Sequence, residues 1–172
     1  MDAALYWTIW IALALFALGE TGKRGLAAGR GAASWAWPVS AIGAAMGAIH
    51  LLMAMGTRHA WSHESAMIAT ALQTEAVYGL RWGGGVFVNY AFVGAWIAEL
   101  AVWRMAPARY ASAGRALFWL RACYFVIIVN AAVIFAGGWR RAIGGVIVLV
   151  LAMSWAGRSG VSRSGVSSRS GV

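Results

Sequence analysis

Between residues 36 and 55 the chain reads AWPVSAIGAAMGAIHLLMAM, without one Asp, Glu, Lys or Arg, and that run constrains the fold more than any other feature. A hydrocarbon layer about 30 Å thick is crossed by about 20 apolar residues of helix, because only a helix satisfies every backbone donor and acceptor within one segment. Pro38 falls in the first turn, where its missing N–H costs nothing. The run is not alone. Comparable stretches lie at about 4–19, 86–104, 116–136 and 142–156, the last being short.

The expected fold is therefore all-α: an integral membrane helical bundle of about five transmembrane helices, with residues 1–157 forming a single transmembrane domain. Composition agrees. The chain is 62% hydrophobic and 11% charged, against roughly 45–50% and ~25% in soluble domains, and the apolar surplus must face lipid. A net charge of +9 would in a soluble chain point to nucleic acid, yet here the bases fall between apolar runs and in the tail. There they act as topology signals, so the expected partners are the lipid bilayer and a membrane protein, not nucleic acid. No base precedes the first run, which argues against a cleaved signal peptide. Cys123 stands alone inside an apolar run, so no intramolecular disulfide or CxxC pair exists.

Counting bases by loop places Lys23, Arg24, Arg30, Arg104, Arg109, Arg115 and the tail residues Arg158, Arg163 and Arg169 on one side. Arg58, Arg81, Arg140 and Arg141 fall on the other. The excess predicts a bacterial inner (plasma) membrane protein with its N-terminus, carrying Asp2, outside and its C-terminus cytoplasmic. If the last run is only peripheral, the chain has four spans and an external tail. Residues 158–172 repeat Arg-Ser-Gly-Val and are expected to form a disordered, low-complexity tail. The one substantial segment outside the spans, 57–85, is expected to hold a short interfacial helix. Ser62 supplies an N-cap, Glu64 sits in the first turn, Ala66 to Tyr78 favour helix and Gly79 stops it. Trp61, Tyr78 and Trp82 would lie at headgroup depth.

Ionisable side chains inside spans are costly beside lipid and turn toward the bundle or a cavity. Glu99 and Arg121 lie at matching depths in the third and fourth spans and are expected to form an intramembrane ion pair, either fixing helix packing or serving a proton or ion pathway. His50 shares a helix face with Gly43 and Gly47, a small-x-x-x-small spacing suited to close helix contact. His59 and His63 stand four residues apart, which on a continuous helix brings two imidazoles to one face, as metal sites require. With His50 and Glu75 they make a candidate metal or haem site at the outer face, provided the chain bends near Gly56-Thr57; the alternative is separate histidines bonding loop backbone. His63-Glu64-Ser65-Ala66-Met67 has Met where the zinc-protease motif needs its second His. Trp82-Gly83-Gly84-Gly85 precedes a span and is no nucleotide-binding loop; it lets the chain turn sharply. No Ser-His-Asp ordering is present, and no catalytic residue is expected.

The stretch from His50 to Tyr90 carries His59-Ala60-Trp61-Ser62-His63, Gln73-Thr74, Gly79 and Trp82-Gly83-Gly84-Gly85-Val86-Phe87-Val88-Asn89-Tyr90. It resembles a group of uncharacterised bacterial multi-pass membrane proteins. The resemblance covers about a quarter of the chain and brings no known activity. What it implies is that the histidines and the glycine run belong to one motif around the outer loop. Three functions compete: a non-enzymatic subunit or assembly and interaction protein, a metal- or haem-binding redox membrane subunit using the outer histidines, and a small transporter resting on Glu99 and Arg121.

Overall fold

A computed structural model describes residues 2–27 and 30–156. These residues form eight α-helices with no strand among them: α1 (Asp2–Gly22), α2 (Arg24–Ala27), α3 (Ala36–His59), α4 (His63–Tyr78), α5 (Gly85–Met105), α6 (Pro107–Ser112), α7 (Gly114–Val129) and α8 (Trp139–Ala156). Five are long and apolar enough to cross a membrane, with α1 running on through α2 and α7 running on to Ile134. The expected all-α bundle with a further helix between the second and third spans is what the chain forms. The repeated tail, with Arg158, Arg163 and Arg169, lies outside the described residues.

α4 begins and ends where its local chemistry requires. The Ser62 hydroxyl accepts the Ser65 backbone N–H at 3.2 Å, and Gly79 closes the helix in the left-handed region at φ 69°. The helix lies across one end of the bundle: Ala66 packs with Met55 of α3 and Val86 of α5, while the Tyr78 hydroxyl donates to Asn130 Oδ1 at the far end of α7. That end is called here the α4 end; α6 marks the opposite one.

α1 packs chiefly on α3, and α5 packs on α3 beside it. Close approach depends on missing side chains. A Cβ at Gly43 would stand 2.8 Å from the Trp96 ring and 2.9 Å from Leu15, so the small-residue face of α3 is where α1 and α5 both dock. The centre is aromatic. Phe16 meets Trp96 and Tyr124 edge-on at 4.9 and 5.2 Å, Phe92 meets Tyr124 at 5.3 Å, and Trp96 Nε1 donates to Ser40 Oγ at 3.0 Å. Large apolar side chains that point away from this core are left open, among them Leu52, Phe118, Trp119, Leu149 and Met153. In water that surface would be unfavourable; in hydrocarbon it is the solvated one.

α8 is no peripheral segment. It packs on α1 and on the last turn of the fourth span, where Asn130–Ile134 adopt a π-helix and Phe135 N–H reaches back to Asn130 O at 2.9 Å. Gly144 of α8 lies against this turn, so close that a Cβ would overlap the Ala132 carbonyl oxygen.

Candidate functional site: a buried charge cluster

α1 ends in the sequence Gly19-Glu20-Thr21-Gly22-Lys23, and helical spacing puts Glu20 and Lys23 on one face. That face turns inward. Lys23 is 0% exposed and Glu20 2%. The Lys23 ammonium donates to Glu20 Oε1 at 2.5 Å and to Glu99 Oε1 of α5 at 2.8 Å, so one cation joins two carboxylates from different spans. It also lies over the Trp103 ring at 4.9 Å and the Tyr110 ring at 5.8 Å, two rings that stack on each other.

The carboxylates are held from other helices as well. The Tyr110 hydroxyl of α6 donates to Glu99 Oε1 at 2.6 Å, and Trp155 Nε1 of α8 donates to Glu20 Oε2 at 2.7 Å. Arg121 of α7 places Nε 3.5 Å from the same Glu20 oxygen. Two acids and two bases thus sum to zero charge inside the bundle: Glu20 and Lys23 cancel within the first span, and Glu99 of α5 is balanced by Arg121 of α7. Tyr110 lies outside the spans. Burial pushes its phenol well above the ordinary tyrosine value, the Glu99 and Glu20 carboxylates add to the rise, and Lys23 opposes them.

The structure gives Glu99 and Arg121 different partners from those their depths predict. Glu99 pairs with Lys23 and Arg121 with Glu20, because Glu20 and Lys23 stand between the two helices and meet each first. Lys23 is therefore an internal side chain and not one of the loop bases that mark topology. Hydropathy leaves Glu20 and Lys23 at the ragged end of a glycine-rich span and puts Lys23 among the loop bases; the signal for their burial is the i, i+3 pairing of acid and base.

The four metal candidates are not brought together, and among the described residues no three His, Cys, Asp or Glu are grouped to hold a metal. α3 continues as one helix through Gly56-Thr57 to His59, and the break comes after it, where Ala60 and Trp61 both take positive φ. His59 ends one helix and His63 starts the next, so the continuous helix their spacing required is absent. His63 instead meets the Tyr90 ring at 5.9 Å. Glu75 lies twelve positions further along α4, about 18 Å by helical rise, and its exposed carboxylate is 3.8 Å from Arg81. His50 Nδ1 lies 3.0 Å from Leu5 O and 3.2 Å from Thr8 Oγ1, tying α3 to the start of α1. His50 and His59 do border one cavity of about 560 Å³ with Asn89 and Tyr90; His63 and Glu75 do not line it.

Compared with known proteins, the chain matches no family model, no curated protein and no solved structure.

Proposed function

We propose that the chain is a non-enzymatic multi-pass protein of a bacterial inner membrane, acting as a subunit or assembly partner of another membrane protein, with its N-terminus outside and its α6 end cytoplasmic. The observation that carries this reading is the charge-neutral cluster. Its four charges are directed at one another, with Tyr110 and Trp155 occupying further lone pairs. Such an arrangement specifies which helices pack together more than it performs chemistry. The orientation rests on the bases outside the spans: Arg24, Arg30, Arg104, Arg109 and Arg115 lie at the α6 end, to which the sequence adds the three arginines that follow α8, against Arg58, Arg81, Arg140 and Arg141 at the α4 end.

Reporter fusions after Arg30 and after Arg109 test the orientation, and an external location for both refutes it. The subunit role is tested by photo-crosslinking in native membranes from positions 61, 80 and 82, whose side chains are exposed at the α4 end. A single protein adduct is expected. Adducts to lipid alone at all three positions refute the role.

One observation favours a transporter as the second reading: Glu99 Oε2, Arg121 Nε and the Tyr124 hydroxyl are buried without a hydrogen bond of regular geometry among the described residues. Proton entry into proteoliposomes above the empty-vesicle rate, abolished by Glu99→Gln, would support that reading, and an unchanged rate would remove it.

A further inference from the structure

A second cavity at the α4 end, of about 730 Å³, opens between α4, α5 and the π-turn of the fourth span. It belongs neither to the charge cluster nor to the histidine-lined cavity, although Thr70, Gln73 and Asn89 stand in the wall between that cavity and this one. Gln73, Thr74, Trp82, Gly85, Val88 and Asn89 line it, and all six come from the motif segment running from His50 to Tyr90. The segment was singled out by sequence and left unused by the cluster. Here its scattered pieces share one wall.

The lining defines the chemistry of an occupant. Among the described residues no Asp, Glu, Lys, Arg or His faces the cavity, so an ionic head would enter without a counter-charge at a cost the membrane makes large. The polar groups are the carboxamides of Gln73, Asn89 and Asn130 and the hydroxyls of Thr70, Thr74 and Tyr78, and the three hydroxyls donate to Ala66 O, Thr70 O and Asn130 Oδ1. Gln73 and Asn89 make no side-chain hydrogen bond among the described residues, and each offers two N–H donors and one carbonyl acceptor. Asn130 uses one N–H on Val126 O at 2.8 Å and its oxygen on Tyr78. The remaining walls are flat: Tyr78 and Phe135 stand edge-on with ring centroids 5.8 Å apart, and the Trp82 ring is half-exposed at the mouth.

The π-turn is an independent pointer. It begins at Asn130, and such single turns recur at functional sites because they rotate one side chain out of the regular helical register. Depth is consistent as well. Asn89 is four residues into α5 and Asn130 four residues from the end of the span at Ile134, about 6 Å below the helix ends on both sides by helical rise. A head held there would sit just inside the hydrocarbon, with α5 and α7, which touch little, leaving a lateral way in from lipid.

We propose that this cavity binds a neutral, membrane-soluble molecule of the quinone class: a flat uncharged ring whose carbonyl oxygens accept from Gln73 and Asn89 and whose faces lie against Trp82, Tyr78 and Phe135. Binding alone is assigned, without a redox step. The experiment titrates decylubiquinone into the full chain in lipid nanodiscs and reads tryptophan fluorescence for wild type, Trp82→Phe, Asn89→Leu and the cavity-filling Val88→Phe. The expected result is a saturable quenching component that disappears in Trp82→Phe and weakens at least tenfold in affinity in Asn89→Leu or Val88→Phe. Phe118→Ala, at the opposite end, should leave it unchanged. Circular dichroism and melting identify any variant that does not fold, and Gln73→Leu then replaces it. Quenching that is linear with added quinone and equal in wild type and Trp82→Phe would mean partitioning into lipid and would overturn the proposal, as would saturable binding indifferent to Asn89, Gln73 and Val88 changes.

Discussion

Replacing Lys23 with methionine keeps most of the side-chain volume and removes the charge that joins α1 to α5. Contacts of 2.5 and 2.8 Å are each an attraction of about 6 kcal/mol at an effective dielectric of ~20. Much of that is returned, because a buried ammonium no longer has to be dehydrated. What remains is the penalty of stripping a partner from a buried pair, about 3–5 kcal/mol; Glu20 keeps Arg121 and Trp155, whereas Glu99 is left without a cation. For a chain of this length the loss corresponds to a fall of roughly 10 °C or more in Tm. The assay is thermal unfolding in a mild detergent, followed by tryptophan fluorescence. Charge balance supplies the control. With Lys23→Met alone the cluster sums to minus one, whereas Lys23→Met with Glu99→Gln leaves one acid, Glu20, facing one base, Arg121. The double variant should recover at least half of the single variant's loss. A Lys23→Met protein melting within 2 °C of wild type, or a double variant less stable than the single, would refute the reasoning.

Gly144→Ala should cost about 2–3 kcal/mol, since the added Cβ meets the Ala132 carbonyl and overpacking against backbone relaxes poorly; an unchanged melt would show that α8 does not pack on the π-turn as described. Tyr110→Phe should cost about 1.5–3 kcal/mol at neutral pH by removing the donor to Glu99. Because the folded phenol is raised above its unfolded value of about 10, wild-type stability should fall more steeply than that of Tyr110→Phe as pH climbs past about 10; parallel pH–Tm curves would contradict this. His50→Ala should cost about 1 kcal/mol for its bond to α1. Replacing His50, His59 and His63 together should not change zinc uptake measured by elemental analysis, and a loss of stoichiometric zinc in that variant would reinstate the shared site.

The spans were legible because hydropathy reports a one-dimensional requirement: a run of about 20 residues either fits a bilayer or does not. The bounds of α4 were legible for a similar reason, Ser62 and Gly79 acting on their own neighbouring backbone. Partner choice within the charge cluster is different in kind. Glu99 and Arg121 were visible as intramembrane charges, but which cation meets which carboxylate depends on helix rotation and on Glu20 and Lys23, which a hydropathy profile trims from the first span. The metal candidates failed through one backbone detail. Spacing of four places His59 and His63 together only on an unbroken helix, and the left-handed pair Ala60-Trp61 intervenes.

The order in which the cluster's members are synthesised has a consequence for biogenesis. Glu20 and Lys23 arrive together in the first span and cancel. Glu99 follows 76 residues after Lys23, and its arrival leaves the growing assembly one negative charge in excess. Arg121 restores neutrality, and Trp155 then occupies the outer lone pair of Glu20. A nascent chain halted between α5 and α7 therefore carries one carboxylate more than its buried bases balance, and the completed chain removes that excess by the same contacts that hold it folded.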